Sequence, residues 1–160
     1  MAHWLVKSEP GAYSYADLER ERATDWNGVH NALALRHLKA MRPGEELFFY
    51  HSGAERAVVG IARVVAPPRP DPADDRGSWM VRVAPVRAVD PPVTLAQMRA
   101  DPALAGLPLF RISRLSVLPI SGAEWRRILA SSRPGGGRQG SAGGSRSQSR
   151  AARPRKRGAT

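Results

Sequence analysis

Leu47-Phe48-Phe49-Tyr50-His51 and Ala57-Val58-Val59-Gly60-Ile61-Ala62-Arg63-Val64-Val65 stand in the middle of the chain, joined through Ser52-Gly53-Ala54-Glu55. Both runs are rich in β-branched and aromatic residues, and a short link containing glycine is of hairpin length, so the pair predicts two antiparallel strands. Upstream, His3-Trp4-Leu5-Val6-Lys7 reads as another strand, stopped by Ser8-Glu9-Pro10-Gly11. Ser14 with Asp17 three residues on is the opening of a short helix around Leu18. A second helix is expected from His30 to Met41, closed by Arg42-Pro43-Gly44. Asn31, Ala34, Leu35, Leu38 and Met41 share one of its faces, which turns Asn31 inward at the helix start. Downstream, Pro67 to Gly77 reads as a loop because prolines and aspartates crowd it. Trp79, Val81 and Val83 then alternate with Met80, Arg82 and Ala84 as in a half-buried strand. Thr94 to Arg99 reads as a short helix, and Ser121-Gly122-Ala123-Glu124 as a capping box opening a last helix through Trp125, Ile128 and Leu129. Strands in the middle and helices toward the ends predict an α+β fold, a mixed small barrel or curled sheet with flanking helices.

The chain has 160 residues, 42% of them hydrophobic, enough for one domain with a real core. It has no cysteine, which excludes a disulfide framework, thiolate zinc or iron–sulfur sites and a cysteine nucleophile. With no run of eighteen apolar residues and no charged-then-apolar leader at Met1, a cytoplasmic protein without a membrane partner is expected. The net charge is +11, but it is unevenly spread. Residues 131–160 hold eight basic residues and no acidic one, leaving 17 basic against 14 acidic residues in 1–130. That final segment is Gly, Ser, Arg, Gln and Pro with little that is apolar, so a boundary is expected near Ala130. Residues 1–130 form the folded domain and residues 131–160 a disordered basic tail with a reach of roughly 30 Å. Phosphate attraction from the body must therefore come from a local patch.

Catalytic chemistry finds little support. His30 and His37 are two helical turns apart, about 10.5 Å along the axis, too far for one metal ion. His51-Ser52 are adjacent on a strand and point to opposite faces, and no G-x-S-x-G elbow is present, so His51 reads as a histidine satisfied by hydrogen bonds near a hairpin. No phosphate-binding loop or dinucleotide fingerprint occurs. No metal and no cofactor are expected.

Trp26-Asn27-Gly28-Val29-His30-Asn31 is different, for it sets an aromatic residue, a permissive glycine and two amides just before a helix start. An aromatic face can stack on a base, and amides can read donors and acceptors alike. The bland alternative is a buried tryptophan with asparagine caps. Because Trp26 precedes a glycine and the helix start, it is expected to face a cavity, whereas Trp79 on its alternating strand is expected to be core.

His3-Trp4-Leu5-Val6-Lys7-Ser8-Glu9-Pro10, Tyr13-Ser14, Asp17-Leu18 and Trp26 to Asn31 together resemble the opening of the EVE domain family. Phe48-Phe49-Tyr50-His51-Ser52, Gly60-Ile61-Ala62, Arg114-Leu115-Ser116-Val117 and Glu124-Trp125 resemble its later signatures in the same order, so the likeness spans roughly residues 3–129. It implies a PUA-like fold, a pseudo-barrel of strands with helices around it, similar to the YTH readers of methylated adenine. It also implies recognition of modified bases, chiefly modified cytosine in DNA, without catalysis or cofactor. The family's K-S-E-P motif falls on Lys7 and Ser8, its pocket tryptophan on Trp26 and its W-x-G-V-R-N asparagine on Asn31. With Asn27, Gly28, Val29, Tyr50 and Ser52 these make the expected base pocket. His30, Arg36, Lys39 and Arg114, with Lys7 at the edge, are expected to meet phosphate. Two departures bear on affinity and on the exact ligand: the arginine expected before Asn31 is His30, and the following A-R-N reads Ala34-Leu35-Arg36. The expected function is thus a monomeric, non-catalytic module that accepts a flipped modified base. It would favour modified DNA, with a separate effector or nuclease as a possible partner. An RNA-binding accessory domain and, behind it, a base-processing enzyme are the alternatives.

Overall fold

The structure, a computed structural model, describes residues 1–132. The expected basic tail, apart from Ser131 and Ser132, lies outside the described residues. In chain order the elements are β1 His3–Ser8, α1 Tyr15–Glu21, β2 Thr24–Trp26, α2 Ala32–Ala40, β3 Glu46–His51, β4 Ala57–Val64 and β5 Arg69–Pro70. They continue with β6 Trp79–Thr94, α3 Leu95–Arg99, a 3-10 turn Pro102–Leu104, α4 Pro108–Arg111, β7 Val117–Ile120 and α5 Gly122–Ser131. The strands form one curled mixed sheet in the order β2-β6-β4-β3-β1-β7, with β5 beside the start of β6. β1 and β3 run parallel, and the other pairs are antiparallel. This is the α+β curled sheet with flanking helices that the pattern predicts.

The central strands are buried on both faces, and their register decides what meets what. In the parallel pair Trp4, Val6 and Ser8 stand beside Leu47, Phe49 and His51, while His3, Leu5 and Lys7 stand beside Glu46, Phe48 and Tyr50. Because successive strand side chains alternate, these two sets face opposite ways. The first set meets α1, α2 and the β2 region: Tyr15 lies edge-on to Phe49 at 5.3 Å, and Trp4 lies 6.2 Å from His37. The second meets α5, where Trp125 stacks on Phe48 at 3.8 Å and lies tilted against His3 at 4.4 Å.

Both expected capping boxes form, Ser14 with Asp17 and Ser121 with Glu124. α2 is shorter than expected, and here the reading of Asn31 needs correction. Asn31 is the N-cap, half-exposed, its Oδ1 accepting from the Ala34 N–H at 2.9 Å. A capping carbonyl satisfies the orphan donors of the first turn, which outweighs membership of the apolar stripe. β6 is the larger surprise, since it continues through Pro85, Pro91 and Pro92 to Thr94. Those prolines fall where its ladder with β4 shifts register, between Ile61 and Ala62 and between Val58 and Gly60. Pro85 itself pairs with Ala62 at the edge of one shift and Pro91 and Pro92 fall in the gap of the other, and prolines are tolerated at such irregularities. β2, β5 and β7 span only three, two and four residues, too few for periodicity to announce them.

Glu45 fastens the entry to β3. Its carboxylate accepts from the Trp4 indole and the Arg42 N–H, both at 2.9 Å, and from the Ala2 N–H at 3.3 Å. Burial works against its charge, yet these hydrogen bonds prevail and hold its pKa below the ordinary value of 4.5. A depressed folded pKa contributes stability above the unfolded value and loses it as pH falls through the folded one. Glu45→Gln is expected to cost about 1 kcal/mol at neutral pH. The variant should also flatten the loss of melting temperature below roughly pH 4.5, as acid titration of both proteins will show.

Candidate nucleic-acid interface

Trp26 ends β2 opposite Val81 of β6 and is 2% exposed. Its ring lies edge-on to Phe49 at 5.4 Å and to Tyr13 at 5.9 Å. Its indole Nε1–H is buried and has no hydrogen-bond partner among the described residues. Trp79, by contrast, is half-buried and carries the Lys39 ammonium 4.8 Å above its ring. The expectation that Trp26 faces a cavity and Trp79 the core is thus reversed in exposure. Pairing of β2 with β6 turns Trp26 into the core, while Trp79 stands at the start of β6 beside Pro70 and packs only partly buried against that core.

From Trp26 the chain turns through Gly28 at φ +77°, a left-handed conformation that glycine adopts at little cost. Val29 is fully buried and its carbonyl accepts from Ser78 Oγ at 2.7 Å. His30 Nε2 meets Asp74 Oδ2 at 2.6 Å. Two residues of the Asp71–Ser78 connection thus clasp the segment from outside. Nothing local in the sequence announces this, because 44 residues separate His30 from Asp74. His30 is therefore already paired with a carboxylate instead of being free for phosphate. Asn27 is half-buried at the mouth of the turn.

Ser8 shares the Trp26 side of the sheet. Its hydroxyl is buried and donates to the Tyr13 carbonyl at 2.5 Å, which leaves its lone pairs as acceptors. The Ser52 N–H donates to the Ser8 carbonyl at 2.9 Å, joining the ends of β1 and the hairpin. His51 closes the same corner: the Tyr15 N–H donates to its Nε2 at 3.1 Å, and its Nδ1 lies 2.7 Å from Glu55 Oε1. Both ring nitrogens are engaged, as expected of a satisfied histidine.

Lys7 and Tyr50 do not join this group. Strand alternation turns both toward the α5 side, where Lys7 Nζ donates to the Ser113 carbonyl at 2.8 Å. Burial holds the Lys7 pKa below its ordinary value. Lys7 is only 9% exposed, so it cannot serve as an edge cation in this conformation. Arg36, Lys39 and Arg114 are exposed. The expected pocket set is therefore split: Ser8 and Trp26 share one side of the sheet with Tyr13 and Phe49, Lys7 and Tyr50 lie on the other, and Ser52 is tied to the Ser8 corner through its backbone N–H. Tyr13 and Phe49 were missed as Trp26's neighbours, although each lies inside a motif already singled out. Among the described residues no group of three or more metal-binding side chains occurs, and no helix is long and apolar enough to cross a membrane.

A curled mixed sheet with helices on both faces, and an aromatic residue at the root of a W-N-G-V-H-N turn, make the PUA-like architecture that the sequence predicts. The model of the EVE domain family matches residues 2–131, and the chain belongs to that family. It is 32% identical to human thymocyte nuclear protein 1 over 164 residues, covering 81% of this chain and 73% of that protein. It is also similar to the crystal structure of human THYN1 protein in complex with DNA containing 5-methylcytosine. There the TM-score is 0.75 and the identity 30%, over 82% of this chain and 98% of that one. A more distant likeness, with TM-score 0.55 and 13% identity, joins it to the YTH domain of the Zygosaccharomyces rouxii MRB1 protein, solved with N6-methyladenosine RNA. It covers 82% of this chain and 86% of that one, and shows the fold alone.

Proposed function

We propose that this protein is a non-catalytic reader that takes one flipped, modified base, modified cytosine in DNA, against the Trp26 side of its sheet. The supporting observation is Trp26 itself. It is a buried indole with an unpaired N–H, at the root of a glycine turn, in a family that includes a relative solved on 5-methylcytosine DNA. An unpaired buried donor costs about 1–3 kcal/mol, and a base carbonyl would satisfy it. With Trp26 covered by its neighbours, entry of a base requires residues 27–31 to move against the Ser78 and Asp74 clasps. Flipping a base costs a few kcal/mol and stacking returns roughly 1–3 kcal/mol, so the two nearly cancel. Tight binding to duplex therefore needs phosphate contacts as well, and a methyl group adds only about 0.8 kcal/mol, a several-fold preference.

The test is a titration of the purified chain, at one stated salt concentration, with oligonucleotides that differ in a single base. Several-fold tighter binding to modified-cytosine duplex supports the reading. Stronger binding to RNA at matched salt points instead to an RNA-binding domain, and stoichiometric product released without any added partner overturns the non-catalytic assignment. Truncation after Ser132 removes eight basic residues. It is expected to leave melting nearly unchanged while lowering the slope of log affinity against log salt by about 0.9 for each phosphate that the tail had neutralised. An unchanged slope would mean that the tail does not meet nucleic acid.

A further inference from the structure

At the C-terminal ends of β1 and β3, on the α5 side of the sheet, four arginines gather that have no carboxylate partner among the described residues: Arg56, Arg99, Arg111 and Arg114. Three separate stretches bring them there. Arg56 closes the β3–β4 link at φ +44°, and its carbonyl accepts from the Leu95 N–H at 2.8 Å, which ties it to the start of α3. Arg99 ends α3 with its guanidinium 5.1 Å from the centre of the Phe110 ring in α4. Arg111 follows on α4, and Arg114 adjoins Ser113, whose carbonyl holds Lys7 Nζ. Tyr50 marks the centre: burial raises its pKa, and Arg56 and Arg99 both draw it back down, so both guanidinium groups lie within Coulombic reach of one hydroxyl.

Several arginines elsewhere on the body are balanced locally. Arg20 pairs with Asp17, Arg63 with Glu46, Arg69 and Arg82 with Asp25, and Arg127 with Asp101. Here four exposed cations on neighbouring elements have no ion pair among the described residues, which raises the potential over this end of the sheet. A guanidinium stacked on an aromatic ring is pre-organised, its N–H edge left free for a phosphate oxygen. Cations spread over several elements suit a succession of phosphates better than one small anion.

We propose that Arg56, Arg99, Arg111 and Arg114 form a track for the phosphate backbone of duplex DNA, on the opposite side of the sheet from Trp26. The track rests on the reading of this protein as a nucleic-acid binder, but not on the modified base. It places the backbone contacts of the body on the α3–α4 end in addition to α2.

The test uses the full chain with Arg56→Gln and Arg99→Gln combined, both exposed positions whose loss should leave melting intact. Binding to otherwise identical duplexes with cytosine or 5-methylcytosine is measured from about 50 to 200 mM salt. The slope of log affinity against log salt is expected to fall by roughly 1.8, about 0.9 for each phosphate concerned. Affinity should drop by the same factor on both duplexes, leaving the preference between them unchanged. Arg56→Lys with Arg99→Lys should restore most of the slope. Arg63→Gln with Arg87→Gln removes the same charge elsewhere and should leave the slope near that of the unaltered chain. The track is overturned if the Arg56/Arg99 variant keeps the original slope, if the Arg63/Arg87 control lowers it equally, or if the unaltered chain binds neither duplex. A chain without preference for 5-methylcytosine whose slope still depends on Arg56 and Arg99 would sink the base reading and leave the track standing.

Discussion

Trp26→Ala is expected to lower the stability of the domain by about 3–5 kcal/mol, the usual cost of truncating a buried tryptophan, and to abolish discrimination between modified and unmodified bases. The ring is 2% exposed and meets Phe49 and Tyr13 edge-on, so its removal opens a cavity between β2 and the central strands. A domain of this size has only about 5–15 kcal/mol to lose. Trp26→Phe separates the two effects. It keeps most of the apolar volume and removes the indole N–H, so it should melt within about 1–2 kcal/mol of the unaltered protein. If the indole N–H reads the base, the phenylalanine variant folds and discriminates less. If it folds and discriminates as before, Trp26 is only core. Trp79→Ala, at a half-buried ring under Lys39, should cost less than Trp26→Ala. Thermal melting of the three variants orders them.

Gly60→Ala is the second substitution expected to act strongly. A Cβ at this position of β4 would lie under 3.0 Å from three atoms of the Tyr15 ring. That ring cannot easily yield: its hydroxyl donates to the Ile61 carbonyl at 2.7 Å, and its edge meets Phe49 at 5.3 Å. Burial, with Glu19 adding to it, raises the Tyr15 pKa to about 12. Overpacking of this kind costs about 1–3 kcal/mol. Because Tyr15 also donates its backbone N–H to His51, the strain should reach the corner where β1 and β3 end beside Ser8. Gly60→Ala is therefore expected to weaken binding as well as lower the melting temperature. A variant that melts like the unaltered protein would show that α1 shifts to make room.

Much of this was legible in the sequence, and the reasons for the rest are physical. The β3–β4 hairpin, β1 and the two capping boxes follow from local rules, strand-forming composition bounded by turn residues in two cases and side-chain to backbone bonding in the others. The alternation rule applied to His51-Ser52 also separates Lys7 from Ser8, yet the motif reading grouped them because they are neighbours in the chain. Parallel pairing with β3, which no local pattern encodes, fixes which of the two shares a face with Phe49. The reversal of Trp26 and Trp79 has the same origin: three residues of β2 pair with β6 at a separation of more than fifty positions. The Asp74 clasp on His30 and the approach of Arg56 and Arg99 to Tyr50 are likewise products of tertiary structure, invisible to spacing.

The most direct measurement follows the four tryptophan indole N–H signals in a nitrogen–proton correlation spectrum, assigned through single Trp→Phe variants, as duplex is added. Trp4 is bonded to Glu45 and Trp26 has no partner among the described residues, so the two start in different environments. With duplex carrying one 5-methylcytosine, the Trp26 signal should move in proportion to occupancy while the Trp4 signal stays in place. With the matching unmodified duplex at equal salt, Trp26 should move several-fold less. A Trp26 signal that stays fixed while the protein is saturated with 5-methylcytosine duplex would contradict the assignment of the base to this side of the sheet.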